Sequence, residues 1–115
     1  MKRKEAVELY SVLKDLRNGA MSKEGMTDYI LIRLKLKKVF DEFEQARIEI
    51  SEQTRQDGID KWNEAFTPIM ERWLSEETEP IETKVLSQSD FVELVSKNDL
   101  IGIIEDNLYT FLIKI

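Results

Sequence analysis

Met26–Arg55, MTDYILIRLKLKKVFDEFEQARIEISEQTR, is the stretch that decides how this chain folds. Ile32, Leu36, Val39, Phe43, Ala46 and Ile50 follow one another at spacings of 4, 3, 4, 3 and 4, the period of one helix face. Tyr29, Phe40 and Arg47 flank that stripe, and Ser22 or Thr27 offers a cap at its start. A helix over 26–55 is roughly 40 Å long or more at about 1.5 Å per residue. That exceeds the width of a small domain, so it needs other helices along its length or a second chain. Lys37/Asp41 and Lys38/Glu42 add i,i+4 ion pairs on the exposed side.

Upstream, Ala6, Leu9, Leu13 and Leu16 recur at helical spacing and predict a first helix over 3–17, stopped by Asn18-Gly19. Ala20–Gly25 then reads as a short connection. Downstream, Gln56-Asp57-Gly58 ends the long helix. Trp62, Phe66, Ile69 and Trp73 predict another from about Asp60, and their spacing runs unbroken through Pro68. A continuous or kinked helix is therefore expected there, although proline removes one amide donor and crowds the preceding turn. Ser75–Pro80 is a polar break. Residues 81–86 alternate briefly, which leaves room for one short strand or extended segment. Ser87 or Ser89 is positioned to cap a helix through Phe91, Val92, Leu94 and Val95, with Asp90 completing a loose capping box. Asn98-Asp99 breaks it, and a last helix is expected over Leu100–Leu112, ending in an apolar Phe111–Ile115 that wants a core or a partner to dock on. The fold class is mainly α: a single domain over residues 1–115, a helical bundle built on the one long helix.

Composition narrows the chemistry. The 115 residues contain no His and no Cys. The usual general base, thiol nucleophile, Ser-His-Asp arrangement and zinc ligand set are therefore missing. Four scattered glycines make no phosphate loop. The start, MKRKEAVELYSVLKDL, is charged and interrupted by acids, unlike a signal peptide, and no apolar run reaches membrane-spanning length. A cytoplasmic protein is the expectation, with no cofactor and no metal. The net charge is −6, and it is unevenly spread: residues 1–58 carry 12 cations against 11 carboxylates, residues 59–115 carry 5 against 12. That balance disfavours nucleic acid as a partner.

Four local constellations are candidates for function. Asp41 and Glu44, one turn apart, would need a facing acid such as Glu71 to hold magnesium for nucleotide hydrolysis; a solvated face is the commoner use of such spacing. Arg33, Lys35, Lys37 and Lys38 form the single basic cluster, with Arg33 and Lys37 on one face and Lys35 and Lys38 on another. They would carry contact with nucleic acid or another regulator, but acids follow at once and aromatics do not interleave. Trp62 and Trp73, eleven residues apart on one face, suit a core or an interface. Arg47, beside the stripe, is placed to pair across a helix interface with Glu64 or Glu71, or simply to pack its stem with its head in water. The candidate interface residues are Phe43, Arg47, Trp62, Trp73, Phe111 and Ile115; no catalytic residue is expected.

The layout resembles that of a group of short phage and prophage proteins, in which a small Leu-rich helix precedes a long one carrying a Phe-x-x-Ala-Arg-like segment. Here that segment is Phe43-Glu-Gln-Ala46-Arg47, with 81–86 and 100–112 matching the extended stretch and the Leu/Ile-rich end. The resemblance implies a structural or assembly accessory of the virion, in the host cytoplasm or the particle, and carries over no catalytic residue. The leading expectation is thus a non-enzymatic helical protein acting through protein contacts, first of all with further copies of itself.

Overall fold

A computed structural model describes residues 1–16, 21–98 and 112. Among them lie four helices: α1 (Arg3–Leu13), α2 (Lys23–Gln53), α3 (Ile59–Ser75) and α4 (Gln88–Asn98). The bundle is mainly α, as the periodicity predicts, and α2 sets its shape. At about 1.5 Å per residue its 31 residues account for most of the 53 Å long axis. The radius of gyration, 16.9 Å, exceeds the roughly 13 Å of a compact chain of this length.

Local chemistry moves the expected boundaries. α2 begins three residues earlier than 26, because Ser22 Oγ accepts the Gly25 N–H at 3.0 Å and fixes the cap there. It ends at Gln53, not Arg55. The Thr54 hydroxyl donates to the Ile50 carbonyl at 2.7 Å and turns the chain, and Gly58 at φ +92° leads it into α3. α1 stops at Leu13 rather than continuing to 17. Its last carbonyls are taken from outside the helix, Leu13 O by the Tyr29 hydroxyl at 3.2 Å and Lys14 O by Arg33 at 2.6 Å. α3 runs continuously through Pro68, as its apolar spacing requires. Residues 81–85 belong to no helix or strand, and Leu86 at their end donates its N–H to Leu112 O at 2.9 Å. Apart from Leu112, the expected helix over 100–112 lies outside the described residues.

Both α1 and α3 run antiparallel to α2 and divide its length. The ring of Tyr10 meets Phe40 at 5.0 Å, while Trp73 meets Phe43 at 6.2 Å and Trp62 Nε1 donates to Ser51 O at 2.9 Å. α1 thus lies along the first half of α2 and α3 along the second. The two meet end to end, where Arg3 stacks over the Trp73 ring at 4.1 Å and bonds Glu76 at 2.9 Å. Backbone bonds hold that junction: Arg3 N–H to Glu76 O, and Thr78 N–H to Met1 O.

The main core gathers on the first half. Ala6, Leu9 and Leu13 of α1 face Tyr29, Ile32, Leu36 and Val39 of α2. Leu86, Leu112 and, from α4, Phe91 and Leu94 close it. Each fully buried Leu contributes about 1.5–3 kcal/mol relative to exposure. On the second half, only Ile50 and Met70 among the large side chains of the hairpin are buried.

Candidate interaction surface

The cap of α2 is a small polar device at the edge of the core, with Gly25 and Asp90 buried and Ser22 exposed. Ser22 donates twice to one carboxylate on α4: its N–H to Asp90 Oδ1 and its hydroxyl to Asp90 Oδ2, each at 2.7 Å. The Asp90 N–H in turn donates to Ser87 Oγ at 3.2 Å, so Ser87 is the cap of α4. The loose box read from the sequence is half realised, because the Asp90 side chain leaves its own helix to cap α2. The Ser22 bonds, backbone first and hydroxyl second, hold the Asp90 carboxyl below its usual range against the opposing effect of burial. Only glycine fits opposite: a Cβ on Gly25 would fall onto the Asp90 carboxylate. Nearby, burial pushes the Tyr29 hydroxyl up to about 12, although Arg33 pulls it down. Both groups fix α2 in place.

With one face of α2 held this way, its opposite face carries large aliphatic side chains. Ile30 is 43% exposed, Leu31 51% and Leu34 58%, all within one and a half turns; Ile48 follows on the same side at 47%. At about 100° per residue Ile30, Leu34 and Ile48 stand across the helix from Ile32, Leu36 and Val39, and Leu31 stands at the edge of that outer face. A shallow hollow of about 140 Å³ between Tyr10, Ile30 and Leu34 extends the apolar surface towards α1.

On the other flank lies a cleft of about 570 Å³ between α2, Arg3 and residues 77–81. Lys35, Lys38 and Glu42 of α2 line one wall of it, and Glu77 and Glu79 the other. With Arg3, the cations and carboxylates are equal in number, so the cleft selects no sign of ligand. The basic cluster is split accordingly. Arg33 and Lys37 lie on the α1 side, where Arg33 caps α1 and Lys37 pairs with Asp41 at 2.8 Å. Lys35 and Lys38 lie in the cleft, Lys38 together with Glu42.

The other expected site residues are distributed as follows. Phe43 is half-buried between Phe40 and Trp73. Trp62 and Trp73 are half-buried against α2 and the α1 junction, so within this chain they join helices to each other. Arg47 is exposed and pairs with Glu44 one turn back at 2.9 Å rather than with Glu64 or Glu71 on α3. Asp41 and Glu44 are thus each engaged by a cation of their own helix. Among the described residues no group of three or more acids is arranged to hold a metal ion. Phe111 and Ile115 lie outside the described residues. Among those described, no helix is long and apolar enough to cross a membrane.

Sequence reading missed Ile30, Leu31, Leu34 and Ile48. The signal was present: residues 29–36, YILIRLKL, hold more apolar side chains than one helix face accommodates. Compared with family models, curated proteins and solved structures, the chain matches none.

Proposed function

We propose that this protein acts by contact rather than catalysis, through the outer face of α2. One observation carries this reading: Ile30, Leu31 and Leu34, half exposed and contiguous, on a rigid helix whose other face is committed to the core. Single exposed aliphatics are ordinary, whereas a contiguous set on a fixed element marks a surface built to be covered. The net charge of −6 favours a protein partner over nucleic acid. The layout shared with short phage and prophage proteins supports an accessory part in virion structure or assembly. The lack of cysteine suits a reducing compartment such as the host cytoplasm.

The test is affinity isolation of the protein from the cells that make it, beside the double variant Leu31→Glu/Leu34→Glu. The variant is expected to melt within a few degrees of the native chain and to lose the stoichiometric proteins, or the second copy of itself, that the native chain retains. Identical recovery from both would contradict the proposal.

A further inference from the structure

The outer face of α2 carries a second periodic pattern. Leu31, Leu34, Lys38, Asp41, Gln45 and Ile48 follow at spacings of 3, 4, 3, 4 and 3, and Glu52 lies four further on. This is the spacing of a seam between two long helices. Its charge is polarised. Residues 23–39 carry five cations and two acids; residues 40–53 carry one cation and five acids. The last turn holds Glu52 and no cation, the reverse of what the helix dipole favours. On the outer face Lys37 and Asp41 bond to each other, and among the described residues no other ion pair joins its basic half to its acidic half.

We infer that the outer face of α2 pairs with the same face of a second copy of this chain, antiparallel, about a two-fold axis passing between Val39 and Phe40. This rests on the contact function proposed above and names its partner. Antiparallel pairing lays the basic half of one helix on the acidic half of the other. In this register Leu31 meets Ile48 of the second copy and Lys38 meets its Asp41. On one flank Lys35 stands by its Glu42, on the other Lys37 stands by its Glu44, and Leu34 packs on the stem of its Gln45. The two-fold repeats each pair. A parallel pair would instead set lysines 35–38 against themselves. Neither α1 nor the 77–81 segment covers the seam: they flank its first half, and Leu31, Leu34 and, further along, Ile48 stay about half exposed. Charge pairs sit at the centre and aliphatic contacts towards the ends, so the pairing is salt-sensitive.

Two exposed substitutions test the charges. Lys38→Asp sets acid against acid across the axis, and Asp41→Lys sets cation against cation. Each variant alone is expected at the mass of one chain, 13.5 kDa, and an equimolar mixture at twice that. The register is tested by cysteine, which the native chain lacks. Leu31→Cys/Ile48→Cys is expected to oxidise to a covalent dimer. Leu31→Cys alone is not, since its two copies stand 17 residues, or roughly 26 Å, apart. Variants that each self-associate like the native chain, a mixture that stays at one chain's mass, or faster crosslinking of Leu31→Cys alone would overturn the pairing. If the pairing fails while Leu31→Glu/Leu34→Glu still loses a foreign protein, the contact function stands without it. If that variant loses nothing, both fall.

Discussion

The two halves of α2 are one uninterrupted helix in two different settings. Lys23 to Val39 is held by α1, by α4 and by the segment ending at Leu86, and Tyr29, Ile32 and Leu36 are at most 3% exposed. Beyond Phe40, which still meets Tyr10 of α1, the stretch to Gln53 has α3 as the one helix beside it among the described residues. There Phe43, Trp62 and Trp73 remain half-buried, and Ile59 and Ile69 of α3 are 67% and 42% exposed. A helix is stabilised mainly by what its apolar face buries. The first half therefore anchors the molecule, and the second projects from it as a two-helix arm. The difference shows what a chain this short can do with a long helix. It encloses one end, leaves the other thin, and keeps an outer face running over both.

The largest expected effect comes from breaking the anchored half. Leu36→Ala removes a side chain with no exposed surface, and it should cost about 3–4 kcal/mol in urea unfolding. Ile50→Ala, on the arm, should cost less, about 2 kcal/mol, because the thinner surroundings relax into the space. Equal losses would mean that the arm is packed as tightly as the core.

The cap comes next. Gly25→Ala forces Asp90 off Ser22, and Asp90→Ala removes the acceptor outright. Each should cost about 1–2 kcal/mol, and the double variant less than their sum, because both disrupt the same bonds. Strict additivity would break the link between α4 and the start of α2. The same bonds give a pH dependence of known sign. The folded carboxyl of Asp90 lies below its unfolded value of 3.8. Its contribution is full above that value and is lost as pH falls through the folded one. Asp90→Asn should flatten that acid limb in melting curves, and an unchanged limb would assign it to other acids.

Tyr29→Phe, which leaves Leu13 O with the Leu16 N–H as its donor, should cost about 1 kcal/mol. The smallest effect on stability is expected from Leu34→Glu, within about 0.5 kcal/mol at a dilution where the chain is single, since Leu34 is 58% exposed. A large loss there would place Leu34 in the fold rather than on a contact surface.

Much of the fold was legible because one helix period carries most of it. The stripe from Ile32 to Ile50 and the spacing through Pro68 each correspond to an observed helix. Boundaries were less legible, because they depend on tertiary bonds. α1 ends where Tyr29 and Arg33 reach its carbonyls, and α2 starts where Asp90, 68 residues further along the chain, fixes Ser22. The tryptophans were legible as apolar anchors, but their spacing did not reveal that α2 and Arg3 would meet them. The outer seam was hidden by the stronger inner stripe. Both follow the same period, and only the packing of α1, α3 and α4 shows which of the two is left uncovered.

The most direct measurement is the mass of the native chain by light scattering after gel filtration, at two concentrations and in low and high salt. The expected result is twice 13.5 kDa at the higher concentration in low salt, falling towards 13.5 kDa on dilution and in high salt. A mass of 13.5 kDa under every condition would contradict pairing of the chain with itself through α2.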